Sequence, residues 1–322
     1  MSALVTIAIP TYSRLAYLKE AVAAALEQTH HAIEVLIGDD GSTTEIPAWA
    51  KEMEQQHRRV RYQKNARNLG LAGNWNALAE AARGEFVVII GDDDRLLPEF
   101  TSRLLAAAGD ANVAFANHYL IDSAGRRLEA ESRAHTVRYQ RDVLKEGPVA
   151  DAESCVWRNS VPMSSALIRT ADARRLRFRE ELNTPEIEFF LRLAREGGRF
   201  VFVPDYLCEY RVHAQSATTA GLKSEELADC LLPFPASASA ELCKREFMGP
   251  LLVNAVSRCM LRGEAARARR YLASEYYPRD GMAMARVVQK VCARLPGVVG
   301  GSVYRAVHAL KGRWSRSVFS VQ

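Results

Sequence analysis

Two stretches of the chain end in the same way. Residues 33–42 read IEVLIGDDGS and residues 85–94 read EFVVIIGDDD. In each, a short apolar run passes through one glycine into adjacent carboxylates. The second run is almost uniformly apolar, as expected of a strand buried on both faces of a parallel sheet. Parallel strands need crossover connections, and helical patterns lie between them. Over 14–27, Leu15, Leu18, Val22 and Leu26 share one face, with Ser13 as the expected N-cap. A second helix is expected near 47–57, and a third over 72–82, stopped by Gly84. Strands are expected at 4–9, ended by Pro10, and at 60–63. This alternation predicts an α/β fold, Rossmann-like, with a mainly parallel mixed sheet flanked by helices. Ligands bind outside the carboxyl ends of such strands.

Both acidic turns then emerge at one sheet edge. Asp39 and Asp40 follow the second strand, and Asp92, Asp93 and Asp94 follow the fourth. Five converging carboxylates are costly unless cations compensate them. Mg2+ or Mn2+ with a phosphate-bearing substrate suits such oxygen ligands. The Asp-x-Asp spacing of Asp92 and Asp94 lets both approach one metal. Ordinary loop and cap roles for acidic residues explain one such turn better than two.

Beyond the fourth strand, Pro98 and Glu99 suit a first helical turn. From 112 to 213 the pattern is mixed, with strands expected at 112–121 and 199–204 and a helix at 187–197 closed by Gly197. After about 222 it is nearly all helical. The expected division is a catalytic domain over 1–220 and a helical region over 221–322. Charge divides similarly. From Ala240 onward there are 15 Lys plus Arg against 5 Asp plus Glu, net +10, while the rest carries 28 against 33, net −5. An acidic body hosts carboxylate chemistry, and a basic tail faces something anionic.

The tail has helical periodicity. Arg286, Lys290 and Arg294 lie on one face beside Val287, Val291 and Leu295. Val303, Val307 and Leu310 form a second apolar face, near Arg305, Lys311 and Trp314. That pattern suits a helix lying on an anionic membrane surface. A cap on the catalytic domain or a homodimer contact is the competing reading. Nucleic acid is not expected, since zinc ligands and aromatic-interleaved basic runs are absent. The six cysteines are scattered without a C-x-x-C pair, no window reaches about 18 uninterrupted apolar residues, and the N-terminus lacks a basic leader. The expectation is a cytoplasmic chain, peripheral on the inner face of the membrane.

Several motifs in order carry a family resemblance over roughly 3–215. IAIPTYSR, then QT, then a strand ending DDGS, resembles the opening of glycosyltransferase family 2 enzymes of GT-A fold. NARNLGLAGNWN, the run GDDDRLLP, and IEFFLRLAREGGRFVFVPDYLCEYRVH resemble their later motifs. The resemblance implies a metal-dependent, inverting, non-processive transfer of sugar from a nucleotide-diphosphate sugar to a hydroxyl acceptor. The implied setting is cell-surface polysaccharide assembly, such as O-antigen or capsule, on a saccharide or lipid-linked acceptor. It places Pro10, Thr11, Tyr12 and Arg14 at the base and ribose, Asp39 or Asp40 at the base, and Arg67, Asn68, Gly70 and Asn74 near the base or pyrophosphate. Asp92 and Asp93 contact ribose or donor sugar. Asp94 is the direct metal ligand, with Asp92 and His213 as further candidates for a bound Mn2+ or Mg2+. His213 as a purely structural histidine is the competing reading. SVPMSSALIRT (160–170) matches a segment beside the family's acceptor site, where Trp157 and Met163 offer an apolar wall or simply core packing.

The general base departs from the family pattern. Aligning on Leu191-Arg192-Leu193 puts Pro185 at the usual Glu and Glu186 at the usual Asp. Glu186 is the preferred base and Glu188 the alternative. They lie roughly 200° apart on a regular helix, so only one can face the site. A carboxylate in a first helical turn also has a plain structural role, in which case Glu188 or Asp205 would serve. Two rivals remain: a nucleotide-sugar-binding protein without catalysis, and a nucleotidyltransferase. The latter wants a glycine-rich phosphate loop after the first strand, which IPTYSR lacks. A processive synthase would need membrane helices and Q-x-x-R-W, and neither is present.

Overall fold

The computed structural model describes residues 3–43, 45–213, 223–278, 284–295 and 299–307. The chain divides into two compact units, Met1–Leu222 and Lys223–Gln322.

The first unit begins with strand β1 (Val5–Thr11), helix α1 (Leu15–Leu26), β2 (Ile33–Asp39), α2 (Ile46–Gln56), β3 (Val60–Lys64), α3 (Gly70–Ala81) and β4 (Phe86–Ile89). It continues through β5 (Arg95–Leu96), α4 (Phe100–Ala108), β6 (Val113–Ile121), α5 (Glu129–Arg138), β7 (Gly147–Pro148) and α6 (Ala152–Trp157). A short 3-10 turn (Met163–Ser165) leads into β8 (Ala166–Arg169), α7 (Thr170–Leu176), α8 (Pro185–Arg195) and β9 (Phe200–Arg211). Among the described residues these make one nine-stranded sheet in the order β3-β2-β1-β4-β8-β6-β9-β5, with β7 on β9. β1 pairs in parallel with β2 and β4, and β8 runs antiparallel to both β4 and β6. The carboxyl ends of β1, β2, β4 and β6 therefore share one edge. The expected mainly parallel mixed sheet is what forms.

The core follows from β-branched strand residues against the helices. Val5, Ile7, Ile9, Val35, Ile37 and Val88 pack with Leu18, Val22 and Ile46, each essentially water-free. Each such side chain contributes about 1.5–3 kcal/mol of burial.

Three local expectations need correction. β1 does not stop at Pro10, which pairs with Gly38. The β4 pairing ends at Ala8, so the amide Pro10 lacks is not required. Ser13 is not an N-cap: it has φ 61°, the cap is Arg14, and the Ser13 N–H donates to Ser42 Oγ. β9 does not end at Pro204. Two register shifts against β6 around Asn117 absorb the proline, and Asn117 Nδ2 donates to the Pro204 carbonyl.

The second unit contains α9 (Ser224–Leu231), α10 (Glu241–Arg262), α11 (Ala265–Ala273) and α12 (Met284–Arg294). α10 ends in Gly263 at φ 81°, a left-handed cap suited to glycine. Buried Glu225 pairs with Arg258 and Arg262. Val287, Val291, Val303 and Val307 are exposed. Leu310, Lys311 and Trp314 lie outside the described residues. No helix among the described residues is long and apolar enough to cross a membrane.

Candidate active site

The turn after β4 is held from both sides. The left-handed Ser13 reverses the chain so that Arg14 reaches back over the carboxylates. Its Nη2 lies 2.5 Å from Asp92 Oδ1, and its Nη1 2.8 Å from Asp93 Oδ2. Thr11 Oγ1 donates to Asp92 Oδ2 at 2.6 Å. Burial still outweighs Arg14 and pushes the Asp92 carboxyl up to about 6. From the other side, His213 Nε2 meets Asp93 Oδ2 at 2.9 Å. Asp94 accepts from the Arg211 N–H at 2.9 Å and from Ser164 Oγ at 2.8 Å. Burial, then the Asp93 charge, hold Asp94 well above the usual carboxylate range.

Gly91 shows how the carboxylates converge. A Cβ there would lie 2.6 Å from Asp93 Oδ1 and 3.2 Å from Asp94 Oδ2. One small volume is thus faced by oxygens from both residues, and only glycine leaves it open. Two close carboxylates with a histidine beside them are hard donors of the kind a divalent cation takes. Among the described residues, no three acidic, histidine or cysteine side chains form a preformed metal cluster. Of the acidic turn, Asp93 and Asp94 line the cavity, while His213 lies outside the lining and meets Asp93 Oδ2. Asp92 is corrected as a metal ligand: its oxygens are turned to Thr11 and Arg14, and it does not line the cavity.

That cavity, about 620 Å3, opens along the strand ends. One half is lined by Pro10, Thr11, Tyr12, Arg14, Asp40, Asn68, Gly70 and Asn74, which the resemblance assigns to the nucleotide. Asp39 and Arg67 depart from that expectation. Asp39 is fully buried, accepting from the Ser42 N–H and the Tyr62 hydroxyl, and is outside the lining. Arg67 is exposed and also outside it. Asp40 reaches the wall, but its carboxylate accepts from Asn65 and from the Leu69 and Gly70 N–H groups, fixing the start of α3. Asn74 likewise braces the wall through the Gly38 carbonyl and Asn65.

The structure separates the two glutamates. Glu186, in the first turn of α8, lines the cavity. Its carboxylate takes a hydrogen bond from its own backbone N–H, yet burial pushes it up to about 7. A helix N-terminus alone would lower it, by well under one unit for the ordinary dipole of about 0.3–1 kcal/mol. Recess in the wall is therefore the dominant influence. Glu188 is corrected as a catalytic residue. It is fully buried away from the cavity, paired with Arg179 at 2.9 Å and Arg192 at 2.7 Å. Arg192 also donates to the Leu176 and Arg177 carbonyls, so Glu188 anchors the segment leading to α8. Asp205 pairs with Arg103 and is outside the cavity lining. Glu188→Ala is expected to lower stability by about 1.5–3 kcal/mol, since it removes the buried carboxylate that accepts charged hydrogen bonds from Arg179 and Arg192. Activity per folded molecule should persist. Chemical denaturation beside initial rates checks this, and unchanged stability with lost activity would reverse the two assignments.

The second half of the cavity is lined by His118, His135, Tyr139, Arg141, Asn159, Met163, Ser164, Asn183, Thr184 and Tyr210. Trp157 is buried and outside the lining, whereas Met163 takes part. Sequence reasoning passed over most of this wall. A signal exists in NVAFANHYLI, where consecutive Asn117 and His118 interrupt an apolar strand. Arg141 and His135 come from a segment without strong periodicity and leave no comparable mark.

Comparison with known proteins agrees with this geometry. The profile of the family described as Glycosyl transferase family 2 matches residues 6–160. The putative glycosyltransferase EpsH of Bacillus subtilis (strain 168) is 27% identical over 218 residues, covering 66% of this chain and 62% of that one. This chain thus spans less than two thirds of that relative's length. The GalNAc(5)-diNAcBac-PP-undecaprenol beta-1,3-glucosyltransferase of Campylobacter jejuni subsp. jejuni serotype O:2 is 23% identical over 217 residues, 67% of each chain. Among solved structures, S. aureus TarS 1-349 in complex with UDP-GlcNAc superposes with TM-score 0.64 at 16% identity, covering 96% of this chain and 92% of that one. Mannosyltransferase PcManGT from Pyrobaculum calidifontis, in complex with GDP-Man and Mn2+, gives 0.59 at 16% identity, covering 98% and 88%. These likenesses show the GT-A fold.

Proposed function

We propose that this chain, which belongs to glycosyl transferase family 2 and is a glycosyltransferase, moves a sugar from a nucleoside diphosphate to an acceptor hydroxyl with inversion, using Glu186 as base. The observation that carries the reading is Glu186 itself. It faces the cavity from the first turn of α8, no Lys or Arg side chain pairs with it among the described residues, and its proton affinity is poised near neutral pH. A general base works best with a pKa near the operating pH.

The roles of the chain's own groups follow from their positions. Tyr12, half exposed at the mouth, offers a face for a nucleotide base. Arg14 stands beside the carboxylates and supplies positive charge next to a diphosphate. Glu186 takes the proton of the acceptor hydroxyl as its oxygen attacks the anomeric carbon. A single displacement of this kind inverts the anomeric configuration. A divalent cation held by Asp93, Asp94 and His213 would neutralise charge on the leaving diphosphate. The Mn2+ in the PcManGT complex supports that reading. Retention of Glu186 in the wall speaks against the non-catalytic rival.

The donor reading is tested by thermal shift with a panel of nucleoside diphosphates and nucleotide-sugars plus Mn2+. At least one should raise the midpoint, by mass action on the folded state. No response to any of them would overturn it.

A lipid-linked saccharide in cell-surface glycan assembly is the acceptor setting we favour. The undecaprenol-linked substrate in the name of the Campylobacter relative supports it, as does the second unit. On α12, exposed Val287 and Val291 lie beside exposed Lys290 and Arg294. Apolar and basic groups on one helix suit an anionic lipid surface. The double variant Val287→Asp, Val291→Asp should cut co-sedimentation with phosphatidylglycerol vesicles several-fold. Equal binding of variant and wild type would remove α12 from the membrane contact.

A further inference from the structure

The β6 side of the cavity has a feature that sugar transfer as such does not require. Arg141 is 2% exposed and forms part of the cavity wall. Its Nε donates to Asn117 Oδ1 at 2.9 Å and its Nη2 to His135 Nδ1 at 3.1 Å. Both partners are neutral, and no carboxylate pairs with it among the described residues. The groups that bear on its charge are Tyr139, Tyr206 and Cys155, none of them a carboxylate. Burial lowers the guanidinium only to about 10, so it stays charged. The Tyr139 ring lies 5.7 Å from the guanidinium carbon, but a buried cation without an ion-pair partner is still costly, and native proteins pair such charges.

A second observation points the same way. His118, 3% exposed, lines the same cavity, and neither ring nitrogen has a hydrogen-bond partner among the described residues. Its ring lies between those of His135, at 4.9 Å, and Tyr210, at 5.6 Å. Most buried polar atoms are satisfied, so this pair of orphans calls for an absent one. One group that accepts hydrogen bonds and carries negative charge answers both residues.

Strand order says whose group it is. β6 lies two strands from β4 on the side away from β1 and β2, roughly 10 Å along the sheet edge at about 4.8 Å per strand. The nucleotide half lies on the opposite side of β4. A short chain of bonds joins the two features. Ser164 donates to Asp94, and its neighbour Ser165 donates to the carbonyl of Asn117, which holds Arg141. The cluster thus adjoins the point of transfer, beyond the donor's diphosphate.

We propose that Arg141 and His118 form an oxyanion subsite for the acceptor, so that the acceptor carries a phosphate or carboxylate close to the attacked hydroxyl. This rests on the transferase reading above. Arg141 supplies charge and directed N–H donors, and His118 adds a hydrogen bond.

The test titrates glucose 1-phosphate, glucuronate and glucose into full-length protein held saturated with its best nucleoside diphosphate and Mn2+, following the melting midpoint. An anionic sugar should raise the midpoint and glucose should not; phosphate against carboxylate preference identifies the anion. Arg141→Gln should need at least tenfold more of the anionic sugar, and His118→Phe several-fold more. Both should keep the nucleoside diphosphate response. Where Arg141→Gln fails to fold, His118→Phe and Arg141→Lys carry the test. Glucose acting as well as the anions, or variants responding like wild type, would overturn the proposal. So would loss of the nucleoside diphosphate response in Arg141→Gln, which would move the arginine to the donor. If no nucleoside diphosphate binds wild type, the donor reading fails instead, and the anion titration run alone still decides the subsite.

Discussion

Glu186→Gln is expected to reduce transfer by about 10²- to 10⁴-fold, the usual contribution of a positioned base, while making the protein more stable at pH 8. The second half of that result is the unusual one. In the fold, burial raises the Glu186 carboxyl from 4.5 to about 7. A group whose folded pKa is raised as an acid is destabilised in its ionised form. Stability is therefore lost as pH rises from the unfolded value through about 7, and the full penalty stands at pH 8. At about 1.4 kcal/mol per unit, the rise from 4.5 to about 7 gives a penalty of at most about 3.5 kcal/mol, less what solvent in the recess screens. Glutamine keeps the shape and removes the charge. The melting midpoint should rise by several degrees at pH 8 and much less at pH 5, where Glu186 is protonated in the fold. A purely structural first-turn glutamate predicts the reverse, a loss of stability in Glu186→Gln at pH 8.

The second large effect belongs to Asp94. Asn in its place can still accept from the Arg211 N–H, and its amide can donate to Ser164 Oγ, so both hydrogen bonds of the turn survive. What disappears is one of the two carboxylates facing Gly91. Asp94→Asn should fold normally, need at least tenfold more Mn2+ to support nucleoside diphosphate binding, and lose about two orders of magnitude or more in transfer. The measurement is a nucleoside diphosphate titration at stepped Mn2+ concentrations. An unchanged Mn2+ requirement would remove Asp94 from the cation site. The contrast with Asp92 is informative, because that residue's oxygens are already engaged by Arg14 and Thr11.

The framework of this site was legible because it is written in local patterns. Apolar β-branched runs ending in glycine and carboxylates determine which strands are central and at which edge they deliver charge. β1, β2 and β4 do so, with their helices in the expected order. The glutamate spacing was legible too, since a regular helix cannot aim positions 186 and 188 at one cavity. Which of them faces it depends on Arg179 and Arg192, and those contacts arise only when α8 docks.

The individual carboxylates were harder. Asp39, Asp40 and Asp92 look alike in sequence, but backbone N–H groups, Tyr62, Thr11 and Arg14 consume their oxygens. Ser13 resembles a cap, yet its left-handed backbone serves to return Arg14 to the acidic turn. The β6 wall was least visible. It joins residues from a strand, a weakly amphipathic helix and irregular loops, and sheet order alone brings them together.

The central claim is that the proton leaves the acceptor through Glu186. The pH dependence of kcat/KM, which reports the free enzyme, tests it most directly. Wild type should show an ascending limb with an apparent pKa near 7, and the residual activity of Glu186→Gln should lack that limb. The same limb in both proteins, or none in wild type between pH 5 and pH 9, would contradict the assignment.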